Sequence, residues 1–292
     1  MRFEYFEPTS LDDAREMLQE GKGELKALSG GTDVVIQLRR RVAHCRGLVN
    51  LKRIPGLGAW DYQDGTGLRV GACTPMRDLE VSAIVRDRFP SLWEALRVIG
   101  SLQLRNLATV GGNLCNASPS ADTAPPLIAL GGRVTVLNTG SAYETLPVES
   151  FFSGPGASVL GPSGVLVSVD VPEPVGPTGD AFERFTPRSA MDIAIASAAA
   201  QVTLNTSRTK IQEVRIALGA VAPTPRRAPG VEEWLRDKDP TAEILDEAGK
   251  RAMSECSPID DIRGSAAYRR ELVRVLVKRV LQASVARAHG GS

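Results

Sequence analysis

The chain has 292 residues, enough for two domains and for a core able to enclose a cofactor, and 35 Lys plus Arg against 34 Asp plus Glu leave a formal net charge of +1. A chain so balanced has no overall field to steer it toward nucleic acid or a membrane surface. Hydrophobic residues at 42% and charged residues at 24% suit a folded globular protein, and neither a secretory signal in MRFEYFEPTS nor an apolar run of transmembrane length is visible, so the expected compartment is the cytoplasm.

Ser10 is placed to cap a helix over 11–20, since its hydroxyl can accept from a free first-turn amide, Asp12 and Asp13 suit the positive end, and Gly21 and Gly23 stop it. LKALS (25–29) reads as a strand, Gly30 and Gly31 as a turn, 32–40 as a helix and GLVNL (47–51) as a second strand, a compact βαβ-like unit. A turn-rich stretch (54–67) leads to a strand at 68–72 and to helices at 75–89 and 90–100, each opened by a proline that a first turn tolerates. Residues 101–131, rich in Gly, Asn, Ser and Pro, have neither helical nor strand periodicity and read as a long loop. Strands are expected again at 133–137, 144–148 and 164–171.

PEPVGPTGD (172–180), with three prolines and two glycines, has linker composition and marks the domain boundary, giving a first domain of 1–175 and a second of 180–288. The second domain carries strands at 181–185, 193–205 and 211–222, close enough to pair antiparallel, then helices at 230–237, 241–256 and 266–288, so the layout is α+β. In the last helix Arg270, Arg274 and Lys278 share one face, with Leu272, Val275, Leu276 and Val280 toward another. The solvated face of a packed helix accounts for this pattern better than membrane or partner binding in a near-neutral chain.

Cys45, Cys73, Cys115 and Cys256 are scattered without a C-x2-C pair, so neither a metal cluster nor a disulfide framework is expected. His44 and His289 are the only histidines, which leaves little for a histidine triad, and His44 beside Arg39, Arg40 and Arg41 reads as surface. Neither G-x-G-x-x-G after a strand nor a P-loop is present. Two glycine pairs remain, Gly30–Gly31 between Ser29 and Thr32, and Gly111–Gly112 after Thr109. Glycine lets the main chain approach a phosphate closely, and successive free amides bind an anion. Each pair alone reads as a tight turn, which needs glycine anyway; together they could clamp one pyrophosphate.

LSGGTDVVIQLR (28–39), GACTP (71–75) and above all LRNLATVGGNLCNASPSADTAPPLIAL (104–130) resemble the FAD-binding medium subunit of the molybdenum hydroxylases, the xanthine dehydrogenase and carbon monoxide dehydrogenase family. FERFTPRSAMDIAIASAA (182–199) is similar to the start of that family's C-terminal domain. The resemblance implies an FAD-binding domain of the vanillyl-alcohol oxidase or p-cresol methylhydroxylase type, with subdomains of about 1–60 and 61–175, followed by an antiparallel sheet with helices. It further implies that the run Ala27, Leu28, Ser29, Gly30, Gly31, Thr32, Asp33 and Val34 wraps the pyrophosphate while Thr109, Gly111, Gly112 and Asn113 form the opposing loop. Asp122 matches a carboxylate that bonds the cofactor, with a helix cap as its local alternative, and Leu166 matches a cofactor contact. Arg184 stands where relatives place a cation beside the flavin, which would favour negative charge on the reduced ring.

By the same resemblance, a molybdenum cofactor on a large subunit and two [2Fe-2S] clusters on a small subunit are expected as partners, in a heterotrimer or its dimer, with FAD passing electrons to NAD, oxygen, a quinone or a carrier. Two clusters need about eight cysteine ligands, more than this chain has. Asn113, where carbon monoxide dehydrogenase relatives tend to be acidic, favours a xanthine-dehydrogenase-like or N-heterocycle or aldehyde hydroxylase. No cysteine-bearing insertion of the hydroxybenzoyl-CoA reductase type is seen. The alternatives are a non-catalytic nucleotide-binding assembly protein and a self-contained FAD oxidase; the poverty in histidine and the short second domain speak against the oxidase.

Overall fold

The computed structural model describes residues 3–140, 142–188 and 191–290. It begins with β1 (Glu4–Phe6), α1 (Leu11–Glu20), β2 (Leu25–Leu28), α2 (Val34–Arg39) and β3 (Gly47–Asn50), whose strands form a parallel sheet in the order β1-β3-β2. Ser10 caps α1 by accepting from the Asp13 amide at 3.1 Å, and Ala14, Leu18, Leu25 and Val49 close a small core beneath it. The second helix is shorter than the 32–40 expected: it starts at Val34, leaving Thr32 and its amide in the preceding turn.

A second, antiparallel sheet has the order β4-β5-β10-β6-β7, from β4 (Trp60–Gln63), β5 (Gly67–Gly71), β6 (Arg133–Leu137), β7 (Tyr143–Pro147) and β10 (Val165–Pro172). Between β7 and β10 lies the small pair β8 (Phe152–Gly154) and β9 (Ala157–Ser158). Between β5 and β6 come α3 (Met76–Glu80), α4 (Ala83–Arg88), α5 (Pro90–Val98), α6 (Leu102–Arg105), α7 (Val110–Asn116) and α8 (Ala124–Ala129). The single helix expected over 75–89 is two, because Ser82 interrupts it and caps a new one through the Val85 amide.

Residues 101–131 are helical in three pieces, not a loop. Ser101 and Thr109 supply the caps for α6 and α7, and Pro125 and Pro126 sit in the first turn of α8, where their missing N–H groups are not needed.

The third sheet, β11-β12-β13-β14, is antiparallel and comprises β11 (Thr178–Phe185), β12 (Ala196–Leu204), β13 (Ile211–Gly219) and the unanticipated β14 (Arg226–Arg227). It is followed by α9 (Pro229–Leu235), α10 (Ala242–Ala252) and α11 (Ala266–Ala288). β11 begins inside the expected linker, with Gly179 and Asp180 buried within the strand. Its faces alternate: Phe182 joins the large core beneath α5 and α8, while Ala181 joins the core under α10 and α11.

On α11 the deeply buried residues include Val273, Leu276, Val277, Val280, Leu281 and Ser284, with Leu272 and Val275 only half-buried. Of the basic stripe, Lys278 and Arg274 reach Asp246 of α10 at 2.8 and 3.8 Å. The architecture is α+β, and among the described residues no helix is long and apolar enough to cross a membrane.

Candidate functional site

A cleft of about 620 Å³ runs between the first two sheets and the edge of the third, a volume within the range of cofactor sites. One wall is the turn after β2. The amides of Gly30, Gly31, Thr32 and Asp33 meet no acceptor among the described residues, so a row of donors faces the cleft. Gly31 has φ +76°, the left-handed region glycine enters freely, and a Cβ on Gly30 would strike the Leu107 carbonyl. Ala27, Ser29, Asp33 and Val34 line the same wall; Leu28 does not, its side chain being buried beneath Gly31.

The second glycine pair stands directly opposite. Thr109 caps α7, its Oγ1 accepting from Gly112 N at 3.0 Å, so Gly111–Gly112 is the first turn of a helix and not the loop the sequence suggests. Ser29 Oγ and Thr109 Oγ1 share a hydrogen bond at 2.9 Å, and Gln37 donates to Asn116 Oδ1 at 3.3 Å, joining the two segments across 80 and 79 residues of chain. Gly111 is buried with its missing Cβ against the Ala72 carbonyl, whereas a Cβ on Gly112 would lie 2.8 Å from Thr109 Oγ1. Asn113 Oδ1 accepts from Thr123 Oγ1 at 2.6 Å, a bond an aspartate could accept equally, so its amide is not what the fold requires.

Asp122 and Arg184, 62 residues apart, form an ion pair whose side chains are 9% and 7% exposed. Arg184 Nη2 also donates to the Val98 carbonyl at 2.6 Å. The helix-cap alternative for Asp122 does not apply, because Thr123 holds the cap position of α8 and no side chain caps it. Asp122 Oδ1 is buried and has no partner among the described residues, on a carboxylate that lines the cleft. Burial raises its carboxyl to about 6, against the pull of the Arg184 guanidinium. Leu166 is 3% exposed on β10 and belongs both to the core and to the cleft floor.

Sequence reasoning missed the connection between β11 and β12, from which Met191, Asp192 and Ile193 reach the rim. Arg188 pairs with Asp192 at 3.2 Å and holds its carboxyl down to about 2, and Arg269 of α11 anchors the base by donating to the Ile195 carbonyl at 2.8 Å. It also passed over Ser118 and Ser120, although SPS lies inside the most distinctive stretch. No histidine lines the cleft, His44 is exposed, and among the described residues no three His, Cys, Asp or Glu side chains gather as a metal site.

A family model for the FAD binding domain in molybdopterin dehydrogenase matches residues 1–174, and one for the CO dehydrogenase flavoprotein C-terminal domain matches 181–284. The chain is 34% identical to the carbon monoxide dehydrogenase medium chain of Hydrogenophaga pseudoflava, covering 98% of each. It is 30% identical to the xanthine dehydrogenase FAD-binding subunit of Escherichia coli O157:H7, covering 98% of this chain and 97% of that one. Among solved structures it is similar to carbon monoxide dehydrogenase from Hydrogenophaga pseudoflava lacking the Mo-pyranopterin moiety, with TM-score 0.92, 32% identity and 98% of each chain covered. Quinoline 2-oxidoreductase from Pseudomonas putida 86 gives TM-score 0.89 at 25% identity, again over 98% of each chain.

Proposed function

The chain belongs to the FAD-binding medium subunits of the molybdenum hydroxylases, and from that membership we propose that its cleft holds FAD through the 27–34 turn, Thr109, Gly112, Asn113, Asp122, Leu166 and Arg184. The observation that carries the reading is the meeting of the two glycine segments, joined by the Ser29–Thr109 bond, beside a row of unanswered amides. A pyrophosphate needs many oriented donors, and these amides with the Thr32 hydroxyl supply them without a dinucleotide-binding helix. Asp122 Oδ1 supplies an acceptor for a cofactor hydroxyl or N–H, which would satisfy an otherwise orphaned buried oxygen. Gly111, which packs against Ala72, also lines the cleft and belongs to the same wall in this reading.

When bound, FAD supplies the redox chemistry, taking up electrons delivered singly and releasing them to NAD, oxygen, a quinone or a carrier protein. Arg184, fixed by Asp122 and the Val98 carbonyl, presents a cation that does not have to reorient as charge develops nearby. The pairing also tempers it, since Asp122 brings a compensating charge. Residues 1–175 form the FAD domain and 180–288 the C-terminal domain in this proposal, with the two family matches meeting between 174 and 181 in support.

Electrons enter from [2Fe-2S] clusters of a small subunit, and a large subunit carries the molybdenum cofactor. Four dispersed cysteines could not ligate two clusters within this chain. For the type of complex, the sequence around Asn113 favours the xanthine-dehydrogenase-like, N-heterocycle and aldehyde hydroxylases, while identity, 34% against 30%, leans toward carbon monoxide dehydrogenase. Purified protein titrated with FAD should acquire a flavin absorption band that bleaches with dithionite. A folded protein that takes up no FAD would overturn the reading in favour of an assembly protein.

A further inference from the structure

The strand β11 lies along α5 and meets it at both ends with opposite charge. At the start, Asp180 Oδ1 accepts from the Ser91 amide at 2.7 Å, one of the first-turn N–H groups with no partner inside the helix. In the middle, the Phe182 amide donates to Glu94 Oε2 at 2.8 Å. At the end, Arg184 Nη2 donates to the carbonyl of Val98, the last residue of α5. An anion thus sits at the positive pole of the helix and a cation at the negative pole, the favourable sense at both ends. The four steps from Asp180 to Arg184 span about 13 Å of strand and the seven from Ser91 to Val98 about 11 Å of helix, a difference the side chains bridge.

Asp180 is 2% exposed, and Arg287 of α11 donates to its carbonyl at 2.5 Å while its other nitrogen reaches Glu94 at 2.5 Å. Three elements, β11, α5 and α11, therefore converge on a half-buried junction, and α5 leads directly into Ile99 and Gly100, which line the cleft. Arg184 is at once the far end of this junction and the partner of Asp122 in the cleft.

We propose that β11 is a two-ended clamp on α5, and that Asp180 is a positioning residue which, through α5 and the Val98 carbonyl, sets where Arg184 and Asp122 stand toward the bound flavin. The inference rests on the FAD reading given above. It assigns the C-terminal domain a part in tuning the cofactor that its lack of most cleft-lining residues would not suggest.

The test uses the full-length, FAD-loaded protein, with amide exchange at Ser91 and the flavin midpoint potential as readouts. Asp180→Ala should speed Ser91 exchange at least tenfold and move the potential negative, in the direction of Arg184→Gln. Asp180→Asn, which keeps an acceptor, should restore slow exchange and most of the potential. A potential moved by Arg184→Gln but not by Asp180→Ala would overturn the clamp alone. One moved by neither would overturn the functional reading and the clamp with it. Should Asp180→Ala not fold, Glu94→Ala, which removes the acceptor of the Phe182 amide, replaces it with the same expected sign, and an unmoved potential there overturns the clamp.

Discussion

Arg184 carries a full charge on a side chain only 7% exposed, and what makes that tolerable is Asp122. Removing one partner of such a pair leaves a buried charge without compensation, at roughly 3–5 kcal/mol. Asp122→Ala should therefore lower unfolding free energy by about that amount in urea denaturation, with Asp122→Asn costing less because its amide oxygen still accepts. At the other wall, Gly112→Val should abolish FAD retention through gel filtration while the circular dichroism of the fold persists, since its branched side chain meets Thr109 in the cleft. Gly30→Ala should do more harm to the fold, about 1–3 kcal/mol by thermal unfolding, because the backbone of Leu107 cannot step aside. The glycines were legible as residues that let a main chain come close. That Gly30 approaches Leu107 while Gly111 approaches Ala72 was not, because both neighbours are set by tertiary contact. Nor could the Asp122–Arg184 pairing be read from two residues 62 apart.

At the level of elements, α7 is the instructive case. Two consecutive glycines weaken a helix, and one apolar pair, Val110 and Leu114, is too short a stripe to announce it. It forms because Thr109 caps it and because Val110 and Leu114 are buried against the second sheet. Helices with ordinary caps and stripes, such as α1 and α11, were legible nearly to their ends; the buried Arg269 of α11 was not, since its partners lie on the β11–β12 connection and beyond.

The basic stripe of α11 is answered by Asp246, whose carboxyl is held down to about 2 by Lys278 and Lys250. A carboxyl lowered in the fold stabilises it above its unfolded value of about 4 and loses that contribution as pH falls through its folded value. Asp246→Asn should thus be less stable than the parent at neutral pH, with the gap closing on acidification from about pH 4 toward 2 and narrowing in high salt. Thermal unfolding across that pH series checks it, and a gap that widens in acid would contradict the pairing.

Across the whole molecule, the largest core does not respect the linker. Phe182, Ala199 and Ala217 of the third sheet pack with Leu92, Leu96 and Leu127 of the helices before it, so each part buries apolar surface of the other. The full chain should unfold in one transition, coincident by tryptophan fluorescence and far-ultraviolet circular dichroism, and a fragment ending at 175 should bind a hydrophobic dye. Two separated transitions would show that the shared core contributes little.

The alternation of β11 also sets where the chain can change length. Around Val175, 83% exposed, and Gly176, whose surroundings are empty, an inserted residue would loop into water and leave both neighbours in phase. The same insertion one step after Asp180 would turn Phe182 toward α11 and drive the Glu183 carboxylate under α5, exchanging the inner and outer lining of the strand. Homologous chains should accordingly vary in length at the first place and hold constant at the second.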